Sequence, residues 1–265
     1  MQKPDPKIIF FDIDDTLYIK DEKRIADSTR QALKTLKQKG IITAIATGRS
    51  PALIPLPIRN LITETGIDML VSINGQFVRY QNKILAEFPM NKTDMEAAAA
   101  LLDAEGIAYG FVSNEHFSVS RETQPLFDAT GALGLSYQID PLLYQRYPIY
   151  QMMAFYDENT GKHIESQLPE RLKTVRWQPN GVDLLDKTGS KARGIQAALS
   201  KLGLTMADAM AFGDGLNDIE MLQTVGFGVA MSNAHPDLKA VADFVCPSVW
   251  EDGVYRGLQA LNVLD

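Results

Sequence analysis

The strongest constraint on this chain is a rhythm: apolar runs of strand length alternate with amphipathic stretches of helix length, and the rhythm occurs twice. Residues 8–11 (Ile-Ile-Phe-Phe), 41–46 and 69–73 predict strands, with helices over 28–39 and 51–64 between them. In the first helix Leu33 and Leu36 lie three apart, and Gly40 stands where the helix should stop. The pattern returns late: Ser190 can cap a helix running to Leu202, 210–212 reads as a strand, 216–225 as a helix, 227–231 as a strand, and Pro236 lies near the start of another helix. Strands joined by helical crossovers run parallel, and near-continuous hydrophobicity means burial on both faces. The expected class is α/β, a doubly wound parallel sheet.

Between the two halves the texture changes. Residues 77–80 and 84–88 resemble a hairpin around Gln81-Asn82, and Thr93-Asp94-Met95-Glu96 has the capping-box form before an alanine-rich helix ending near Gly106. Short strand candidates follow at 109–113, 117–120, 150–156, 174–177 and 182–185. An α+β insert over 82–186 is expected to interrupt a core made of 1–81 and 187–265. A length of 265 residues suits two units, since single cores stop growing near ~250 residues.

Hydrophobic residues at 45% and charged ones at 22% describe a chain that packs a core. The net charge of -7 argues against a non-specific nucleic-acid binder. No apolar run approaches the ~20 residues of a membrane helix, and residues 1–7 are polar and proline-containing, unlike a signal peptide. The single cysteine, Cys246, excludes an intrachain disulfide and reads as a buried structural thiol. A cytoplasmic enzyme is expected, with no nucleic-acid or membrane partner, as a monomer or weak homo-oligomer.

Three polar clusters each follow a predicted strand: Asp12 and Asp14, Thr47-Gly48-Arg49, and Gly213-Asp214-Gly215-Leu216-Asn217-Asp218. Ligands of open parallel sheets bind at the carboxyl ends of the strands, so these clusters should converge on one rim. Carboxylates brought together resist joint ionisation unless a cation neutralises them. The donors are all oxygens, with no Cys or His cluster, which indicates hard Mg²⁺ rather than zinc. Magnesium readily shares a phosphate oxygen, pointing to phosphoryl chemistry. Taken singly, Asp12 and Asp14 also read as turn residues and Asp214 as a helix cap; their common placement favours function.

Asp12-Ile13-Asp14-Asp15-Thr16-Leu17 resembles motif one of haloacid dehalogenase-like phosphatases, and Ala46-Thr47-Gly48-Arg49 resembles motif two of their Cof-type sugar-phosphatase branch. Lys191 matches the motif-three lysine, and 212–222 is similar to motif four. The likeness extends to Ser72-Ile73-Asn74-Gly75, to 229–234 and to 251–254, in order along the core. It implies a Rossmann-like core with an inserted cap, and Asp12 as a nucleophile that forms an aspartyl-phosphate. Asp14 would be the acid/base, its backbone carbonyl also reaching the metal; Asp12 and Asp214 would be side-chain ligands, with Asn217 and Asp218 behind them. Thr47, Gly48, Lys191 and Asn217 would bind the substrate, with Thr47 and Lys191 also serving catalysis at the transferring phosphate. Arg49 would either reach substrate or pair with a surface carboxylate. Asn74 would contact the active-site loop or turn the chain into the insert. Asp15 occupies a position often glycine in this branch; a side chain pointing to solvent is expected, and an inward one would act on Asp14.

The insert resembles the larger, α+β cap, which roofs the site and reads the leaving group. Glu115, His116, Arg121, Tyr150, Gln151 and Asn180 are each read as surface residues before substrate contacts, and Trp177 and Trp250 as core or edge packing. The expected activity is hydrolysis of a small phosphorylated metabolite, a sugar phosphate. A phosphomutase or phosphotransferase using the same intermediate, and a non-catalytic sugar-phosphate-binding regulator, are the alternatives.

Overall fold

In a computed structural model describing residues 4–131 and 134–265, the chain divides into two compact units. One combines the residues up to Arg49 with Ile54–Glu87 and Ser190–Asp265; the other holds Ser50–Leu53 and Phe88–Gly189. The first opens with β1 (Ile8–Phe11), α1 (Asp27–Gln38), β2 (Ile42–Ala46), α2 (Leu56–Thr65), β3 (Met69–Ser72), β4 (Phe77–Tyr80) and β5 (Lys83–Glu87). The second carries α3 (Lys92–Ala104), β6 (Tyr109–Val112), β7 (Phe117–Val119), α4 (Gln124–Gly131), β8 (Gln138–Ile139), β9 (Gln151–Ala154), α5 (Glu158–Glu165), β10 (Leu172–Gln178) and β11 (Gly181–Asp186). The chain then returns to the first unit with α6 (Lys191–Leu202), β12 (Ala209–Gly213), α7 (Ile219–Thr224), β13 (Phe227–Met231), α8 (Pro236–Val241), β14 (Phe244–Cys246) and α9 (Gly253–Ala260).

The first unit is built on one sheet in the order β14-β13-β12-β1-β2-β3-β4-β5, parallel from β14 to β3 and antiparallel at β4 and β5. This is the expected α/β class, a Rossmann-like parallel core. All four residues of β1 are buried, as a central strand covered on both faces requires. Phe11 is level with Ile45 of β2 and with Phe212 of β12, so the residues following these three strands emerge together at one rim. The second unit has its own sheet, in the order β10-β11-β9-β6-β7-β8, and its own core, where Met95, Ala98 and Leu102 of α3 pack with Phe111, Met152 and Leu184.

Four local expectations need correction. The stretch 51–64 is not one helix: a 3₁₀ turn over Pro51–Leu53 precedes α2, because Pro55 has no N–H to donate into a continuous helix. The cap of α3 is Asn91, whose Oδ1 accepts from the Asp94 N–H at 3.1 Å, so the Thr93 capping box does not form. The stretch 216–225 begins as a 3₁₀ turn over Leu216–Asp218 before α7. The hairpin around Gln81-Asn82 exists, but β5 pairs with β4 at the edge of the first sheet, placing the contact boundary at 87/88 rather than 81/82. Ser190 does cap α6, its Oγ accepting from the Arg193 N–H at 3.1 Å.

Candidate active site

The Asp12 N–H donates to the Phe212 carbonyl at 3.0 Å, carrying the β1–β12 ladder one residue past the strand and fixing the carboxylate at the rim. Lys191, the first residue of α6, is fully buried, and its Nζ donates to Asp12 Oδ1 and Asp218 Oδ1, both at 2.6 Å. Asp218 is buried too; its Oδ2 accepts from the Asp214 and Gly215 N–H groups, each at 3.0 Å. Gly213 makes room for this: a Cβ there would lie 2.5 Å from the Asp218 carboxyl carbon. Thr16 Oγ1 donates to Asp214 Oδ1 at 3.3 Å.

Carboxylate oxygens of Asp12, Asp214 and Asp218 lie within 4.8 Å of one another. Burial raises Asp12 to about 7; Lys191 opposes the rise, while Asp218 and Asp14 add to it. Burial, then Asp12, Asp218 and Asp15, raise Asp214 to about 8. For Lys191 burial works against the charge, but Asp12 and Asp218 outweigh it and hold the ammonium protonated. One lysine facing three carboxylates leaves the cluster short of positive charge, and the donors are hard oxygens. The set therefore fits a divalent cation such as Mg²⁺. Asp218 already accepts three hydrogen bonds, so Asp12 and Asp214 are the carboxylates with capacity for such an ion.

Arg49 and Asp14 form a two-pronged ion pair: Nε donates to Oδ2 at 2.7 Å and Nη2 to Oδ1 at 2.9 Å. Arg49, expected at the substrate or on a surface carboxylate, is thus held by the proposed acid/base residue, in a half-buried setting where a planar guanidinium matches a carboxylate best. Asp15 has φ +55°, the left-handed conformation that explains why glycine suits this position. Its carboxylate does not simply face solvent: it pairs with Lys20 Nζ at 3.0 Å and accepts from the Lys20 N–H at 3.2 Å. Its charge adds to the rise at Asp214.

Thr47 is buried, and its Oγ1 accepts from the Arg49 N–H at 3.1 Å. Asn217 Nδ2 donates to Asn74 Oδ1 at 3.1 Å, and a Cβ on Gly48 would lie 3.1 Å from that same oxygen. Asn233, inside the 229–234 likeness but with no role expected of it, joins two loops: its Nδ2 donates to the Asp15 carbonyl and its Oδ1 accepts from the Val249 N–H, both at 3.0 Å. In the second unit Tyr150 and Gln151 are buried rather than superficial. Arg121 pairs with Asp103, Asn180 donates to Asp128 and the His116 ring lies 4.3 Å from that of Tyr147. Trp250, expected in packing, is half exposed. Cys246 is buried, which pushes its thiol up to about 12. No helix among the described residues is long and apolar enough to cross a membrane.

The sequence profile of haloacid dehalogenase-like hydrolases matches residues 9–258. YkrA of Bacillus subtilis (strain 168), named as a candidate phosphatase, is 36% identical over 262 residues, covering 98% of this chain and 99% of its own length. A crystal structure of a hypothetical protein from Geobacillus kaustophilus HTA426 superposes with a TM-score of 0.89 at 37% identity, covering 97% of this chain and 99% of that one. The subclass IIB sugar phosphatase BT4131 superposes with a TM-score of 0.86 at 29% identity, again covering 97% and 99%.

Proposed function

This chain belongs to the haloacid dehalogenase-like hydrolase family as a phosphatase, and we propose that it hydrolyses a small phosphorylated metabolite, a sugar phosphate, through an aspartyl-phosphate on Asp12. The observation that carries the proposal is the buried Asp12–Lys191–Asp218 chain of charge-assisted hydrogen bonds at 2.6 Å. Lys191 holds Asp12 by one oxygen, leaving the other to attack phosphorus in line as the bond to the leaving oxygen breaks. Asp14 gives that oxygen a proton, then takes one from the water that attacks the aspartyl-phosphate, releasing inorganic phosphate and restoring Asp12. Thr47 and the Gly48 N–H orient the phosphate, and Lys191 offsets charge on its oxygens. Mg²⁺ held by Asp12 and Asp214 would neutralise phosphate charge. The sugar-phosphate class is supported by the likeness to BT4131, a subclass IIB sugar phosphatase, and by the mixed helix-and-sheet make-up of the second unit. The test is Mg²⁺-dependent phosphate release from a panel of sugar phosphates; an isomeric product instead of inorganic phosphate would point to a mutase.

The Arg49 pair makes the proton-transfer step separable. Both Asp14 oxygens accept from Arg49, so one of these bonds has to open before Asp14 carries a proton. Arg49→Lys keeps the charge and loses the two-pronged geometry. Turnover of alkyl phosphates, whose leaving group needs the proton, should fall on the order of 10- to 100-fold. Turnover of p-nitrophenyl phosphate should fall less. Equal losses on both substrates would refute the assignment.

The carboxylate cluster sets a pH dependence in the metal-free protein. Asp12 and Asp214 sit at about 7 and about 8, above the ~4 of an unfolded aspartate, so the fold binds their protons more tightly than the unfolded chain. Their contribution is full below pH ~4 and is lost as pH rises through 7 to 8. In chelator the melting temperature should therefore fall between pH 6 and pH 8.5, and Mg²⁺ should remove most of the fall. A midpoint that rises over this interval in chelator contradicts the cluster's electrostatics.

A further inference from the structure

Residues 73–75 follow β3 in a run of left-handed conformations: φ is +52° at Ile73, +50° at Asn74 and +84° at Gly75. A β-branched isoleucine in that region is a backbone outlier, and such conformations persist only where the surroundings over-determine them. Here the turn touches three segments of the site. The Ile73 N–H donates to the Arg49 carbonyl at 3.0 Å and the Asn74 N–H to the Thr47 carbonyl at 3.1 Å, so both carbonyls flanking Gly48 are drawn toward the turn. Since the carbonyl of one residue and the N–H of the next point oppositely across a planar peptide, holding Thr47 this way aims the Gly48 N–H away from the turn. The Asn74 side chain, almost fully buried, lies against Gly48 and accepts from Asn217. Gly75 packs on the start of α6: a Cβ there would lie 2.0 Å from the Ser190 carbonyl oxygen, one residue before Lys191.

We propose that Asn74 is a positioning residue, the pin of a left-handed turn that fixes the Thr47–Gly48–Arg49 loop against the Asn217 loop and the Lys191 helix. It makes no bond in the reaction and acts by holding the phosphate-orienting groups of one loop in register with the other. The inference rests on the phosphatase reading above.

Asn74→Gly isolates the role, because glycine adopts a positive φ freely and removes only the side chain. Displacing loop groups by a fraction of an ångström is expected to lower kcat/KM on the order of 10- to 100-fold, to raise the inhibition constant of inorganic phosphate, and to leave the thermal midpoint near that of the parent. Asn74→Asp keeps an oxygen for Asn217 and a residue tolerant of the left-handed region, and should recover much of the loss. Asn217→Ala combined with Asn74→Gly should be no worse than the poorer single variant, since both remove one contact. Asn74→Gly within twofold of the parent in kcat/KM and in phosphate inhibition overturns the role, as do fully additive losses in the double variant. If Asn74→Gly lowers the midpoint, Asn74→Asp decides: recovery supports the pin, and a loss as deep as glycine's overturns it. A parent protein without phosphate release from any panel substrate fails the phosphatase reading instead; phosphate binding by calorimetry then tests the pin, weaker binding in Asn74→Gly supporting it and equal binding overturning it.

Discussion

Asp12→Asn is expected to abolish phosphate release, a fall on the order of 10⁴-fold or more, while the protein stays folded. An amide oxygen can still accept from Lys191 Nζ, so the 2.6 Å contact has a successor, but it cannot form the acyl-phosphate bond. The same change removes one negative charge from a cluster in which Asp12 raises Asp214. In chelator at pH 8 the variant should therefore melt at or above the parent. Activity and stability moving in opposite directions is the signature of a site kept strained for function. Phosphate release from p-nitrophenyl phosphate and a melting curve on one preparation suffice, and residual turnover above a tenth of the parent's would rule out Asp12 as nucleophile.

Lys191→Met is expected to lose both activity and stability. The lysine lies between two carboxylates, itself wholly inaccessible and donating to each at 2.6 Å. Removing it leaves buried negative charge without its partner, a change that typically costs about 3–5 kcal/mol. With about 2–4 °C per kcal/mol for a chain near this size, the midpoint should drop on the order of 10 °C. Two conditions should return part of the loss: Mg²⁺, which supplies positive charge, and the double variant with Asp12→Asn, which removes one carboxylate. Neither should restore turnover. A midpoint within about 2 °C of the parent would show that the fold does not depend on this pair.

The legible parts of the molecule were those with a strong local pattern. The five strands β1, β2, β3, β12 and β13 are near-continuous apolar runs, and the positions after β1, β2 and β12 follow from parallel register. What stayed hidden depends on contacts across long separations. Nothing near Arg49 in sequence distinguishes Asp14, 35 residues away, from any other carboxylate. Asn233 acts through Asp15, 218 residues away. Asp15 shows the same limit: its left-handed backbone follows from what glycine does there, but the partner that holds it, Lys20, emerges only once the loop is folded. In the second unit β8 carries two exposed residues and no apolar pattern to announce it.

The centre of the first sheet joins distant parts of the chain, for β1 lies between β2 and β12, and this has a consequence for synthesis. When the ribosome has made Glu87, the N-terminal segment has an edge at β1 with no neighbour and an Asp12 with no lysine beside it. The continuous stretch Phe88–Gly189 comes next, and at ~5–20 residues per second it takes roughly 5–20 s to make. Throughout that interval the unpaired face of β1 is a template for other strands. The later-made unit can complete its own core first, while the earlier-made one waits for β12 to close its sheet.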